Sequence, residues 1–352
     1  MPLPTPTVTP AEISVTNASS PEAGSTAVNI NSKTIAVLGA GAWGLALAQL
    51  AAINDHQIRL WSRRNELSLE AAIADVDVII SAISMKGVSD VATQLKQMSI
   101  PEGTIIVTAT KGLEPKTTRT PSQVWQETFP THPVVVLSGP NLSKEIEAGL
   151  PAATVVASAD EAAANAIQDL FSSNCFRVYT NNDPIGTELG GTLKNVMAIA
   201  VGVCEGLKLG TNAKSALITR ALPEMIRIGT HLGAQPETFL GLAGLGDMLA
   251  TCISSLSRNH RVGNGLAQGK SLQEILEELG GTAEGVNTTK VLMDLANREG
   301  IPVPISRQVF RLLKGRITPM EAVANLMERD LKAEACDLLD NNDDDDDFPA
   351  SK

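Results

Sequence analysis

Cysteine and histidine are scarce in this sequence, long apolar runs are missing, and basic residues are outnumbered. The four cysteines, Cys175, Cys204, Cys252 and Cys336, stand far apart and form no C-x-x-C pair. That spacing supports neither a disulfide framework nor a zinc site, and it points to a reducing, cytoplasmic compartment. The four histidines also lack ligand spacing, so no metal is expected. The longest apolar stretches, 45–53 and 196–204, are too short to span a bilayer. Lysine and arginine total 28 against 39 acidic residues, a formal net charge of −11. A nucleic-acid partner is disfavoured, because neutralising phosphates needs clustered basic side chains. Much of the negative charge is local to the run Asp343 to Asp347, so the body of the chain is only mildly acidic. A small anionic substrate therefore remains compatible wherever a few basic residues converge.

No lysine or arginine precedes Lys33, and the first thirty residues are rich in Pro, Thr, Ser, Ala and Asn. They lack the charged and apolar regions of a signal peptide and the arginines of a transit peptide. Residues 1–32 are expected to be a disordered tail, as is the acidic stretch 337–352. The 352 residues, 43% of them hydrophobic, suffice for two domains with sizeable cores.

From Lys33 onward, short β-branched runs alternate with helical patterns. Strands are expected at 34–38, 57–61, 78–83, 104–109, 134–137, 154–157 and 176–179, with helices at 43–53, 88–98, 122–127 and 162–172 between them. Doubly buried strands joined by helical crossovers predict a doubly wound, mostly parallel α/β sheet of Rossmann type. The pattern changes at the turn cluster Asn181-Asn182-Asp183-Pro184. Beyond it only helices are expected, at 187–205, 214–232, 261–268, 271–279, 287–298, 305–313 and 318–327. The domains are thus expected at 33–182, dinucleotide-binding, and 183–336, all-helical and substrate-binding. A second domain beside the carboxyl ends of the strands can close over a ligand there.

The segment Gly39-Ala40-Gly41-Ala42-Trp43-Gly44 fits G-x-G-x-x-G between the first strand and the first helix. Gly39 permits a tight turn, Gly41 lets the backbone approach a pyrophosphate, and Gly44 lets helix and strand pack closely. An anion then sits on the helix N-terminus. After the second strand the sequence reads Ser62-Arg63-Arg64, where NAD-preferring sites carry an acidic residue. Two arginines suit a ribose 2′-phosphate, which favours NADPH over NADH; a solvated basic loop, with Glu66 nearby, is the alternative.

Lys194 is the one charged residue in 190–203, flanked at helical spacing by Gly190, Gly191, Met197 and Ala198. Burial lowers a lysine pKa toward the range that acid–base catalysis needs, and the two glycines would let a ligand lie against the helix. A lysine snorkelling along an apolar surface is the competing reading. Asp247 is likewise the one charge in 240–257. It either pairs with a lysine or a substrate hydroxyl, or caps a helix. Ser257 is placed to cap a following helix, which would bring Arg258 and free N–H groups to a phosphate; a capped helix with an exposed arginine fits as well. Lys111 directly follows a strand and so stands at the ligand-binding edge.

Six segments together, Gly39 to Gly44, Ala109-Thr110-Lys111-Gly112, Ser138-Gly139-Pro140, Leu193-Lys194-Asn195, Gly244-Leu245-Gly246-Asp247 and Ser257-Arg258-Asn259, resemble bacterial-type NAD(P)-dependent glycerol-3-phosphate dehydrogenase. The resemblance runs from about Lys33 to Met327. It implies that Lys194 donates and accepts the proton, and that Lys111, Gly139, Asn141, Lys194, Asp247, Ser257, Arg258 and Asn259 bind substrate. It also implies that Gly39, Gly41, Trp43, Gly44, Arg63, Arg64, Lys111, Ser143, Arg258 and Glu284 contact the dinucleotide. The implied reaction interconverts dihydroxyacetone phosphate and sn-glycerol 3-phosphate, feeding phospholipid synthesis. Three departures stand out: Ala42 where the family often has Ser, Asn141 where Thr or Ser is frequent, and a short segment between Arg64 and Val78. The rival readings are a 3-hydroxyacid dehydrogenase or ketopantoate-type reductase, and a non-catalytic NADP sensor. A homodimer is one assembly compatible with the sequence.

Overall fold

The computed structural model describes residues 32–331, 333 and 334. The two expected tails, apart from Ser32, and Cys336 lie outside these residues.

Seven strands form one sheet: β1 (Thr34–Leu38), β2 (Gln57–Trp61), β3 (Val78–Ser81), β4 (Ile105–Thr108), β5 (Val134–Ser138), β6 (Ala152–Ala157) and β7 (Phe176–Asn181), in the order β2-β1-β3-β4-β5-β6-β7. Every neighbouring pair is parallel except β5 and β6. The strands alternate between two apolar layers. Ile35 and Val37 face the layer of α1 (Ala42–Ile53) and α6 (Glu161–Phe171), whereas Ala36 and Leu38 face α2 (Leu69–Ile73), α3 (Met85–Leu95) and α4 (Pro121–Thr128). The chain leaves β1 for β2 on one side and returns to β3 on the other. The carboxyl end of β1 is therefore a topological switch point, where an open sheet leaves a crevice.

Beyond β7 the described residues are helical: α7 (Pro184–Gly206), α8 (Gly210–His231), α9 (Asp247–Ile253), α10 (Arg258–Ala267), α11 (Leu272–Glu278), α12 (Glu284–Glu299), α13 (Pro304–Leu313) and α14 (Pro319–Met327). Helix α7 is the axis of this part, buried along most of its length and packed against α8, α9, α10, α12 and α13. It also packs against β5 and β6, so one helix joins the sheet to the helical region.

The strands lie where the sequence pattern puts them, within two residues at each end. Helices α3, α7, α8, α10 and α12 begin about one turn earlier than the apolar period suggests. Their first turns are rich in glycine, proline and polar residues and hold at most one apolar side chain each, too few to show an apolar period. Pro184 illustrates this: the expected turn cluster is the cap of α7, with Asp183 accepting from Gly186 N at 2.8 Å. Short elements escape the pattern altogether, namely α2, α5 (Ser143–Glu147), α9, a 3-10 turn Pro236–Leu240 and a π-helical turn Leu242–Gly246.

Candidate active site

The glycine turn meets the geometric demands of a dinucleotide cradle. Gly39 has φ +118°, and a Cβ there would stand 2.6 Å from the Ala82 carbonyl oxygen. A Cβ on Gly44 would come within 1.8 Å of the Gly39 carbonyl oxygen, so helix and strand touch at backbone distance. Gly41 meets nothing within 4 Å: its space is open, at the uncapped N-terminus of α1. Free N–H groups facing open space suit a pyrophosphate. The Trp43 indole donates to Ala109 O at 3.1 Å, which ties α1 to the end of β4. Arg63 and Arg64 are exposed in the turn after β2, and Ser143 opens α5, which packs on α1.

Just beyond β4, two lysines share one carboxylate. Lys194 Nζ donates to Asp247 Oδ1 at 2.7 Å and Lys111 Nζ donates to Asp247 Oδ2 at 2.6 Å. Side-chain exposures are 9% for Lys194, 17% for Lys111 and 2% for Asp247. Two ammonium groups share this one carboxylate in a shielded place, with Glu284 the other carboxylate in electrostatic reach, and such a cluster of cations favours an anion or a developing alkoxide. Burial pulls Lys194 down to about 8, with Asp247 opposing the shift and Lys111 reinforcing it. Lys194 also donates to Thr251 Oγ1, one helical turn beyond Asp247. Burial pushes the neighbouring Cys252 thiol up to about 12, so it stays protonated and inert.

Asp247 is therefore a lysine partner. It does not cap α9; Gly246 stands at that position. The expectation for Gly190 and Gly191 needs correcting. A Cβ on Gly190 would meet the Ala243 carbonyl oxygen at 2.6 Å, and one on Gly191 would meet Ser138 Oγ at 2.4 Å and Lys111 Cε at 3.3 Å. The protein itself fills the space that these glycines vacate. They admit the π-helical turn and the Lys111 arm, not a ligand.

Ser257 caps α10, accepting from His260 N at 3.2 Å, and Arg258 opens that helix with an exposed side chain. Asn259 is buried, and its amide makes two internal bonds: Nδ2 donates to Asn195 Oδ1 at 2.9 Å and Oδ1 accepts from Gly285 N at 2.9 Å. Each of these three residues adjoins another candidate, Lys194, Arg258 or Glu284, so this strap draws three elements together. Glu284 is exposed at the head of α12, within electrostatic reach of Lys111, Lys194 and Arg258. Gly139 follows β5 with φ +150°, and Asn141 Nδ2 donates to Thr154 Oγ1 at 2.8 Å. Thr251 went unnoticed in the sequence for want of a recognised helix; once 247–253 is helical, its i+4 spacing from Asp247 puts both on one face. Among the described residues no cluster of three or more His, Cys, Asp or Glu is placed to hold a metal.

Comparison with known proteins places the chain in a family. The model of the NAD-dependent glycerol-3-phosphate dehydrogenase C-terminus matches residues 183–324. The corresponding N-terminus model matches residues 34–68 and 64–164, two stretches that overlap at 64–68. Glycerol-3-phosphate dehydrogenase [NAD(P)+] of Acaryochloris marina is 68% identical over 310 residues, 88% of this chain and 100% of that protein. The protein of the same name from Synechocystis is 68% identical over 300 residues, 85% of this chain and 95% of that protein. Among solved structures, glycerol-3-phosphate dehydrogenase from Coxiella burnetii superposes with a TM-score of 0.81 at 36% identity, covering 85% of this chain and 99% of its own. A 2-dehydropantoate 2-reductase from Geobacter metallireducens, 16% identical with a TM-score of 0.51, shares the fold alone. By both halves of its sequence, the chain belongs to the NAD-dependent glycerol-3-phosphate dehydrogenase family.

Proposed function

We propose that this protein reduces dihydroxyacetone phosphate to sn-glycerol 3-phosphate, reversibly, with a nicotinamide dinucleotide. The observation that carries this reading is the Lys194–Asp247–Lys111 array, standing at the strand ends beside a dinucleotide cradle with Arg258 close by. The dinucleotide, when bound, supplies the hydride that reaches the substrate carbonyl carbon. Lys194 gives its proton to the carbonyl oxygen as negative charge develops there, and takes it back in the reverse direction. Asp247 holds both lysines in place, while Lys111 adds a second positive charge facing the same oxygen. Arg258 and the first turn of α10 hold the phosphate, so that its binding energy orients the carbonyl. Asn259 secures that turn.

Arg63 and Arg64, both exposed in the turn after β2 where an NAD-preferring site carries an acidic residue, support NADPH as the preferred cofactor, with no metal required. The product would enter glycerophospholipid synthesis in the cytoplasm, and a homodimer is compatible with this role. No helix among the described residues is long and apolar enough to cross a membrane.

The test is NADPH oxidation with dihydroxyacetone phosphate and with unphosphorylated dihydroxyacetone. Turnover confined to the phosphorylated ketone is expected; equal turnover with both would remove the phosphate site. NADH in place of NADPH should lower kcat/KM, and Arg63→Ala with Arg64→Ala should narrow the gap.

A further inference from the structure

Lys111 lies in an irregular segment between the end of β4 and the start of α4, with Gly112 at φ +145° and Thr118 at φ +59°. Nothing in the local sequence of such a loop fixes a lysine to within hydrogen-bond distance of a carboxylate 136 residues away. Helix α7 supplies the fixing. Thr192 Oγ1 accepts from Gly112 N at 3.0 Å, at the start of the segment. Glu188, one turn earlier on the same face, accepts at its far end: from Ser122 N at 3.0 and 3.2 Å, and from Ser122 Oγ at 2.5 Å. Between these points Leu113 is buried in the core of the helical region with Leu189 and Leu193. The helix that carries Lys194 thus grips both ends of the segment that carries Lys111.

We propose that Glu188 is a positioning residue for the reaction: it clasps the 111–122 segment to α7 and so sets Lys111 against Asp247 and Lys194. It touches neither substrate nor dinucleotide. A carboxylate 2% exposed is costly to keep, and the N-terminus of α4, whose N–H groups need an acceptor, is where its oxygens are held. The clasp also explains why a loop with no regular structure ends in a site that tolerates little displacement. The proposal rests on the assignment of Lys111 and Lys194 to the substrate site.

The experiment measures kcat/KM for dihydroxyacetone phosphate, dinucleotide Kd and Tm in Glu188→Ala, Glu188→Gln, Ser122→Ala and Thr192→Val. Glu188→Ala should lose about tenfold or more in kcat/KM at unchanged dinucleotide Kd, as expected when a catalytic group is displaced by a fraction of an ångström. Glu188→Gln keeps an acceptor oxygen and should recover most of that loss. Ser122→Ala removes the hydroxyl donor but keeps the Ser122 N–H, so it should cost less than Glu188→Ala; added to Glu188→Ala it should cost little more, because its acceptor is already gone. A folded Glu188→Ala with kcat/KM near wild type, or losses that multiply in the double variant, would overturn the clasp. If Glu188→Ala does not fold, the double variant Ser122→Ala with Thr192→Val decides, since it weakens the clasp at both ends: reduced kcat/KM with Kd intact supports the clasp, and unchanged kcat/KM removes it. Lys111→Ala and Lys194→Ala serve as controls. Wild-type turnover in those two would sink the site assignment itself, whereas their inactivity beside a fully active Glu188→Ala would sink the clasp alone.

Discussion

At the residue scale, Lys194 couples burial to chemistry. Its pKa of about 8 means that the proton donor is present below that pH and the base above it. The rate of ketone reduction should therefore fall as pH rises through about 8, while alcohol oxidation rises over the same interval. Parallel profiles in the two directions would remove Lys194 from the proton transfer. Lys194→Ala should abolish turnover and leave the dinucleotide Kd unchanged, since the lysine stands on α7 whereas the glycine cradle joins β1 to α1. Glu188 makes the opposite titration visible in stability. Burial raises it from 4.5 to about 7, with the Ser122 hydrogen bonds opposing. A carboxyl whose pKa is raised on folding stabilises the fold fully below the unfolded value and loses that contribution as pH rises toward the folded one. Denaturation between pH 4.5 and 7 should thus show stability declining by an amount on the order of 3 kcal/mol from this group, and Glu188→Gln should flatten the slope. The isolation of Lys194 and Asp247 in apolar surroundings was legible in the sequence. The importance of Glu188 was not, because its partner Ser122 lies 66 residues away on another element.

Elements carry the next level of constraint, and the glycine turn offers a clean contrast. Gly41→Ala places a methyl in open space at an ordinary φ of −79°, so Tm should hold while the dinucleotide Kd rises. Gly44→Ala drives a methyl into the Gly39 carbonyl, so Tm itself should drop. A Gly41→Ala enzyme that binds NADPH normally would place the pyrophosphate elsewhere. The strap through Asn259 is a second case. Asn259→Ala leaves the buried Gly285 N–H and the Asn195 amide oxygen without a partner, a loss of about 1–3 kcal/mol per group, read by denaturant unfolding. Strands and long helices were legible because their periods repeat over many residues. Helix α9 was not: seven residues, with Asp247, Met248, Thr251 and Cys252 buried, give too little repetition to distinguish a helix from a loop.

For the whole molecule, α7 makes the sheet and the helical region one mechanical unit. All three tryptophans, Trp43, Trp61 and Trp125, belong to the sheet half, whereas far-UV circular dichroism is dominated by the helices. Thermal transitions followed by tryptophan fluorescence and by circular dichroism should coincide, and NADPH at about 100 times its Kd should stabilise both by roughly 2.7 kcal/mol. Separate transitions would mean that the halves fold independently and that α7 transmits little between them.

The sequence by itself determined the succession of strands and helices, the glycine turn and the isolated charges. Each of these is a short-range matter of side-chain period, permitted φ and local charge, complete within a few residues. Tertiary structure alone decided that Lys111, Lys194 and Asp247 meet, that Gly190 and Gly191 admit protein rather than ligand, and that Asn259 faces inward. Those outcomes depend on how distant elements pack once the core closes. Packing selects among many pairings that are equally compatible with the local pattern, and no period within the chain encodes which one forms.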